Sequence, residues 1–414
     1  MFLVCIEYKN AKIINKKYVS DEMMEFSLET QYILSLLKSS ILDSELVSVP
    51  SDADVSVIAR IIVSNGILLT VFPIISKDSS SNGILLQQSL KKKYLKYFTL
   101  ALQQDLEGKR IQFSLNKKGI DFIALKGWEL RLLYPDVYRR NMADLDYLIK
   151  DYDYRSIKTI MEELGFSAAA ESSWKHDNFT KKNISVEMHK RLTDNIECIY
   201  NWEYKIWDRA VLISNTDHGW RMSEEDFYIF HLLHLFKDFK NGSLGLRRIT
   251  DTWLIINRYK NFDEDYLNNE LKSMGLELFR ERLETLARYC FEDIPADNNC
   301  IVMINHAVNT GIYGNGRSYK LGRIVTMSGI DGTLRRGKFH SFINAVFLPP
   351  NRMKAHFPIL LKHPVLLPFC WFVRILQQLR TLSINLKRLD YSGITESDYY
   401  DMKEFLKAGG VTLE

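Results

Sequence analysis

Two aspartates, Asp144 and Asp146, stand two positions apart in the run ADLDYLI, from Ala143 to Ile149. The alternation of that run predicts a strand. Side chains on a strand alternate between its faces, so the two carboxylates project from one face while Leu145, Tyr147 and Ile149 pack on the other. Carboxylates crowded on one face repel each other unless they are solvated or share a cation. Mg²⁺ takes one or two carboxylates plus substrate phosphates, so the pair is the right kind of ligand. Glu187 lies in a second alternating run, ISVEMH from Ile184 to His189, and adds a third carboxylate if the two strands are neighbours. A site of this kind, loaded with Mg²⁺ or Mn²⁺, serves phosphoryl and nucleotidyl transfer, because metal ions acidify the attacking hydroxyl and neutralise phosphate charge. The plainer reading of a lone Asp-x-Asp is a solvated edge-strand face.

The surroundings favour the chemical reading. Asp121 to Leu125 is a short apolar strand ending in Lys126-Gly127, and Trp128 to Leu133 reads as a short helix stopped by Pro135. A strand-to-helix turn can offer backbone N–H groups to phosphate. Lys126 and Arg140 would steer a triphosphate as point charges. Arg155 to Leu164 is an amphipathic helix closed by Gly165. Strand, helix, strand, helix, strand makes a compact α/β unit. The expected class is α+β: a small mixed sheet with flanking helices, plus helical parts on either side.

Before this unit the chain reads as helical, with helices over 27–41, 53–63 and 85–116 and a possible short strand near the start. Ser79 to Ser81 reads as loop. After Glu224 the helical period returns over 226–239, 246–259, 266–274 and 276–290. The glycine-rich stretch 298–348 reads as loops with short elements, and the chain from Asp398 as a polar helix or tail. The expected division is a helical module over 1–118, a catalytic core over 119–215 and a helical domain over 216–414 that closes the cleft.

Weaker signals lie in the helical part. His231 and His234, at i and i+3, could share a face and bind metal, but packing is the plainer reading. Arg247 and Asp251 have the spacing of an ordinary helix-supporting pair, while Arg247 or Arg248 could line the phosphate site. His189 shares a strand face with Glu187 and suits a partner or base, as His234 suits a supporting role. The glycines of KNGSLG, Gly242 and Gly245, lack phosphate-loop spacing and read as an interhelical turn.

The segment ALKGWELRLLYPDVYRRNMADLDYLIK (Ala124 to Lys150), then ISVEMHKRL (Ile184 to Leu192) and HLLHLFKDFKNGSLGLRRITD (His231 to Asp251), resembles the uncharacterised nucleotidyltransferase-like family of bacteria, within the DNA polymerase beta-like nucleotidyltransferase superfamily. The resemblance spans most of 25–380 and is most specific over 124–251. It implies a helical domain over the nucleotide, Asp144 and Asp146 as the metal pair, Glu187 as the third carboxylate and Gly127 as the turn glycine. Where the superfamily has Gly-Gly or Gly-Ser, this chain has Gly127-Trp128. The function expected is metal-dependent transfer of a nucleoside monophosphate, or a related phosphoryl group, from a nucleoside triphosphate to an acceptor hydroxyl on a small molecule, sugar, peptide, protein or nucleic acid. The alternatives are a kinase-like phosphotransferase on the same scaffold and a nucleotide-binding accessory protein of a bacterial biosynthetic cluster for surface polysaccharide or modified peptide.

Composition sets outer limits. The 414 residues suffice for two or three domains, and 46% hydrophobic with 26% charged is an ordinary globular balance. A net charge of +4 gives no strong nucleic-acid signature. Five scattered cysteines without a CxxC pair support neither zinc nor a disulfide framework, and a reducing cytoplasm is the simplest location. The apolar stretch 357–376 is interrupted by Lys362, His363, Pro364, Pro368 and Arg374, so it reads as a buried or surface-docked hairpin, with peripheral membrane contact as the alternative. Since Asp144 and Asp146 crowd each other, Asp146→Asn is expected to leave stability unchanged or slightly raised.

Overall fold

Local signals set the first helices. Ser27 caps α1 (Leu28–Leu42) by accepting from the Thr30 N–H, and Asp54 caps α2 (Val55–Ser64) in the same way. α3 (Leu68–Ile75) was not expected from the sequence: nearly every one of its residues is buried, so it has no periodic face to read. Ser80 caps α4 (Ser81–Lys117), whose 37 residues begin inside the serine run read as loop and end beneath the sheet. This computed structural model describes residues 26–172, 174–193, 197–329, 332–379 and 391–412. The possible strand near the start lies outside them.

The α/β unit contains the expected strands and helices in order, with two further strands between the second helix and the last expected strand. β1 (Phe122–Ala124) leads into the one-turn α5 (Gly127–Leu130), then β2 (Leu145–Ile149), α6 (Tyr154–Glu163), β3 (Ser167–Ser172), β4 (His176–Lys181) and β5 (Ile184–His189). Two short helices, α7 (Glu197–Tyr204) and α8 (Ile206–Arg209), precede β6 (Val211–Leu212) and β7 (Gly219–Arg221). Among the described residues these strands form one mixed sheet in the order β3-β4-β5-β2-β1-β7-β6. β2 runs antiparallel to β1 and parallel to β5, in a register that sets Asp146 beside Glu187. The side of β2 carrying Leu145, Tyr147 and Ile149 packs with Ile111 and Leu115 of α4 and Ile157 and Met161 of α6 in one apolar core.

The remaining chain is helical: α9 (Glu224–Lys240), α10 (Leu246–Arg258), α11 (Glu264–Met274), α12 (Glu277–Phe291), α13 (Asn298–Thr310), α14 (Gly316–Ser328), α15 (Leu334–Val346), α16 (Pro350–His356), α17 (Leu367–Leu379) and α18 (Glu396–Ala408). Three of these correct the reading of 298–348 as loops. Its glycines serve close packing: a Cβ on Gly322 would meet the Lys240 carbonyl oxygen at 2.7 Å, and one on Gly337 the Ile324 carbonyl oxygen at 2.4 Å. α18 is likewise no tail, since Tyr399, Met402, Phe405 and Leu406 are buried. The helices before the sheet share one core with those after it, Ile33, Leu36 and Ile62 packing in the same cluster as Leu246, Leu286 and Ile304. No helix among the described residues is long and apolar enough to cross a membrane.

Candidate active site

The sheet register places the carboxylates. Asp144 immediately precedes β2, Asp146 lies within it, and both share a face with Glu187 and His189 of the neighbouring β5. One oxygen from each of Asp144, Asp146 and Glu187 lies within 4.8 Å of the others. His176 of β4 pairs in register with His189, and a nitrogen from each lies within the same 4.8 Å limit of a Glu187 oxygen. The alternation of β5 pointed to His189 as a partner of Glu187; nothing in the sequence indicated His176, because its strand was not read.

Lys126 and His189 answer the three acids. Lys126 Nζ lies 3.3 Å from Asp146 Oδ1, on a backbone with φ of +41°. His189 Nε2 lies 2.9 Å from Asp146 Oδ1 and 3.2 Å from Glu187 Oε2, and its Nδ1 lies 3.3 Å from the Arg191 carbonyl oxygen. Burial opposes the charge on Asp146, yet Lys126 and His189 hold its carboxyl well below the usual range. Asp144 lacks such contacts, and burial followed by repulsion from Asp146 pushes it up to about 7. Burial likewise works against the charge on Lys126 and His189, but the carboxylates beside them raise both. The strained acid is therefore Asp144. This reverses the expectation for Asp146→Asn, which would strip Lys126 and His189 of a buried partner.

Asp144 also lines a cavity of about 370 Å³ with Lys126 and Gly127 on one side and His231, His234, Asp238, Arg247 and Arg248 of α9 and α10 on the other. Tyr313 and Tyr319, from the stretch read as loops, lie at its edge, 66% and 54% exposed. Three assignments shift here. α5 is a single turn of four residues, too short to act as a phosphate-binding helix end. Arg140 is taken up by Asp251, through Nε to Oδ1 at 2.7 Å and Nη2 to Oδ2 at 2.9 Å, so this guanidinium fastens α10 to the sheet unit. Asp251 thus pairs across the fold and not with Arg247 in its own helix. Tyr134 donates to the same carboxylate at 2.9 Å, and Arg139 reaches back to the Ser40 carbonyl. The long connection from Gly127 to Asp144 is spent on these ties.

On the helical side, Arg248 pairs with Asp238 at 2.5 Å, and His234 Nδ1 lies 3.5 Å from the same aspartate. His231 contacts Thr252 Oγ1 at 2.8 Å, and burial pushes it down to about 4, so it is neutral at pH 7. Neither histidine joins a group of three possible metal ligands among the described residues. Arg247 donates Nη1 to the Asn141 carbonyl at 2.9 Å, while its buried Nε–H has no hydrogen-bond partner. Trp128 stays out of the cavity: its ring fills the notch that Gly108 leaves on α4, and the Arg131 guanidinium lies 3.6 Å from the ring centre.

No curated protein and no solved structure gives a significant match to this sequence. The family model described as uncharacterised nucleotidyltransferase matches residues 51–292, more than half of the chain, including the three carboxylates and both walls of the cavity but not Tyr313 and Tyr319 at its edge. The chain belongs to this nucleotidyltransferase family, and nucleotidyl transfer is its general activity.

Proposed function

We propose that the protein transfers a nucleoside monophosphate from a nucleoside triphosphate to an acceptor hydroxyl in a reaction dependent on a divalent cation. The convergence of Asp144, Asp146 and Glu187 within 4.8 Å, with Asp144 at the cavity wall, carries this reading. An all-carboxylate donor set fits Mg²⁺ or Mn²⁺, and the unfavourable charge on Asp144 fits an added cation. When bound, the ion supplies Lewis acidity toward phosphate oxygens and acidifies the acceptor hydroxyl.

The chain's own groups do the rest. Lys126 offsets charge on the carboxylate face. His189, anchored near the Arg191 carbonyl, orients Asp146 and Glu187 and acts as a positioning residue. Arg247 offers its unpaired Nε–H to a phosphate oxygen from the opposite wall, with Arg248 beside it. Arg140 and Asp251 hold that wall in place. The acceptor oxygen forms a bond to the α-phosphorus, the bond to the β-phosphate oxygen breaks, pyrophosphate leaves and the hydroxyl proton passes to solvent. Transfer to a small molecule, a sugar, a peptide or a protein is compatible with this arrangement. Buried thiols at Cys290, Cys300 and Cys370 accord with a reducing cytoplasm.

Calorimetric titration with ATP in the presence of Mn²⁺, Mg²⁺ or EDTA tests the reading. Binding that requires the divalent ion and disappears in Glu187→Gln supports it. Metal-independent binding of equal strength in that variant refutes it.

A further inference from the structure

The segment after the family-matched region has its own chemistry. Between Asp331 and Asp390 the sequence contains ten lysines and arginines and no aspartate or glutamate. Subtracting those ten from the chain's +4 leaves −6 on everything else. A basic segment is therefore set into a sequence whose remainder is net acidic.

The same segment turns apolar side chains outward. α17 uses one face for packing: Cys370 is buried, Trp371 donates to the Leu348 carbonyl at 2.9 Å, and Arg374 donates to the Val346 carbonyl at 2.9 Å. Its other face carries Phe369, Phe372 and Leu376, at i, i+3 and i+7, exposed by 64%, 58% and 48%. The turns before it add Ile359, Leu361 and Val365 at 51%, 68% and 85%. Among the described residues only Met353, Leu360 and Cys370 are buried in the small core beneath. Burial inside the chain does not account for the segment's apolar content. α15 shows the same mixture, with Phe339 and Phe342 exposed along with Arg335 and Arg336.

We infer that this segment docks the protein onto an anionic lipid surface, lying in the interface and not spanning it. Exposed apolar patches mark protein or membrane contacts. The charge decides between them: a basic segment with no acids and with exposed apolar side chains complements the negative potential of anionic headgroups. α17 has 13 residues, too few to span a bilayer but enough to lay one apolar face at headgroup depth. Phe369, Phe372, Leu361 and Val365 would enter the acyl boundary, with Lys362 and the α15 arginines at the phosphates. This inference is independent of the reaction proposed above.

Flotation of the full chain with vesicles is the test. Vesicles of phosphatidylcholine alone and with one third phosphatidylglycerol should separate: the anionic set binds the protein and the neutral set binds it at least tenfold more weakly. Raising salt to roughly 0.5 M should release it, because screening shortens the reach of surface charge. The charge reversals Arg335→Glu, Arg336→Glu and Lys362→Glu should each weaken binding about fivefold, the factor expected for one basic residue near such a surface. Phe369→Ser with Phe372→Ser should abolish binding while leaving circular dichroism and nucleotide binding unchanged. Equal binding to both vesicle types, no binding to either, or a stable dimer that these substitutions dissociate without any effect of lipid would overturn the inference.

Discussion

The two walls of the cavity handle charge in opposite ways. On the helical wall acids meet cations in direct pairs: Arg140 grips Asp251 through two contacts and Arg248 meets Asp238. On the sheet wall three carboxylates share Lys126 and His189, and Asp144 is left with neither as a direct partner. The first pattern is complete within the chain and holds structure. The second leaves a carboxylate under repulsion, which a bound cation would relieve. On this contrast, substitutions at Asp144 and Glu187 change ligand binding and turnover, whereas breaking the Arg140–Asp251 pair changes stability.

The largest expected effect is on the sheet wall. Asp144→Asn and Glu187→Gln should each lower metal-dependent nucleotidyl transfer by about a thousandfold, since metal ions supply several kcal/mol of transition-state stabilisation. Turnover of a labelled nucleoside triphosphate measures it. Activity within tenfold of the parent protein would move the chemistry elsewhere.

Breaking the helical wall should instead unfold the protein more easily. Asp251→Ala leaves Arg140 buried without its carboxylate, and one-sided loss of a buried pair costs about 3–5 kcal/mol. Tyr134 loses its acceptor in the same step. Urea denaturation gives the value. Replacing both partners, Arg140→Met with Asp251→Leu, should recover much of the loss, as apolar replacements of buried pairs often do. A cost below about 1 kcal/mol for Asp251→Ala would show that the pair does not fasten the wall.

Asp144 and Asp146 sharpen the contrast within one strand. Without metal, Asp146→Asn should destabilise by about 1–3 kcal/mol, because Lys126 and His189 lose a charged partner. Asp144→Asn should be neutral or stabilising. Thermal melts in EDTA rank the two, and the reverse order would mean that Asp146 is the strained carboxylate.

How far the sequence disclosed this arrangement depends on where the forces act. β2 and β5 were legible because their buried faces alternate, and from them the three carboxylates followed. β3 and β4 were not, because SAAAES and HDNFTK hold few large apolar residues, and His176 was lost with them. The helices between 298 and 346 were hidden by glycines that read as turns but serve close approach of helices. The Arg140–Asp251 tie joins residues 111 positions apart, and no local spacing reports such a pair. Trp128 departs from the small residue that the resemblance implies at the turn, and its size is matched by the missing side chain of Gly108 on another element. Local periodicity and spacing were readable; partners brought together by packing were not.

A further charge tests whether burial alone, without either kind of partnership, leaves a measurable trace. Glu129 lies in α5, one turn beyond Lys126. Arg131 nearby is committed to Asp105 at 2.8 Å. Burial pushes the Glu129 carboxyl up to about 7, and Arg221 and Arg131 offset this only in part. In the unfolded chain the same group titrates near 4.5. Below that pH it is protonated in both states and costs nothing. Between pH 4.5 and 7 the folded state binds the proton more tightly, so stability declines as pH rises through this window. Glu129→Gln keeps the shape of the protonated acid and removes the titration. At pH 8 the variant should be more stable than the parent protein by about 1–3 kcal/mol, and at pH 4 the two should coincide. Denaturation curves at both pH values, taken in EDTA, read this difference. An equal offset at the two pH values would mean that the substitution acts through packing and that Glu129 titrates in the folded protein as it does in the unfolded chain.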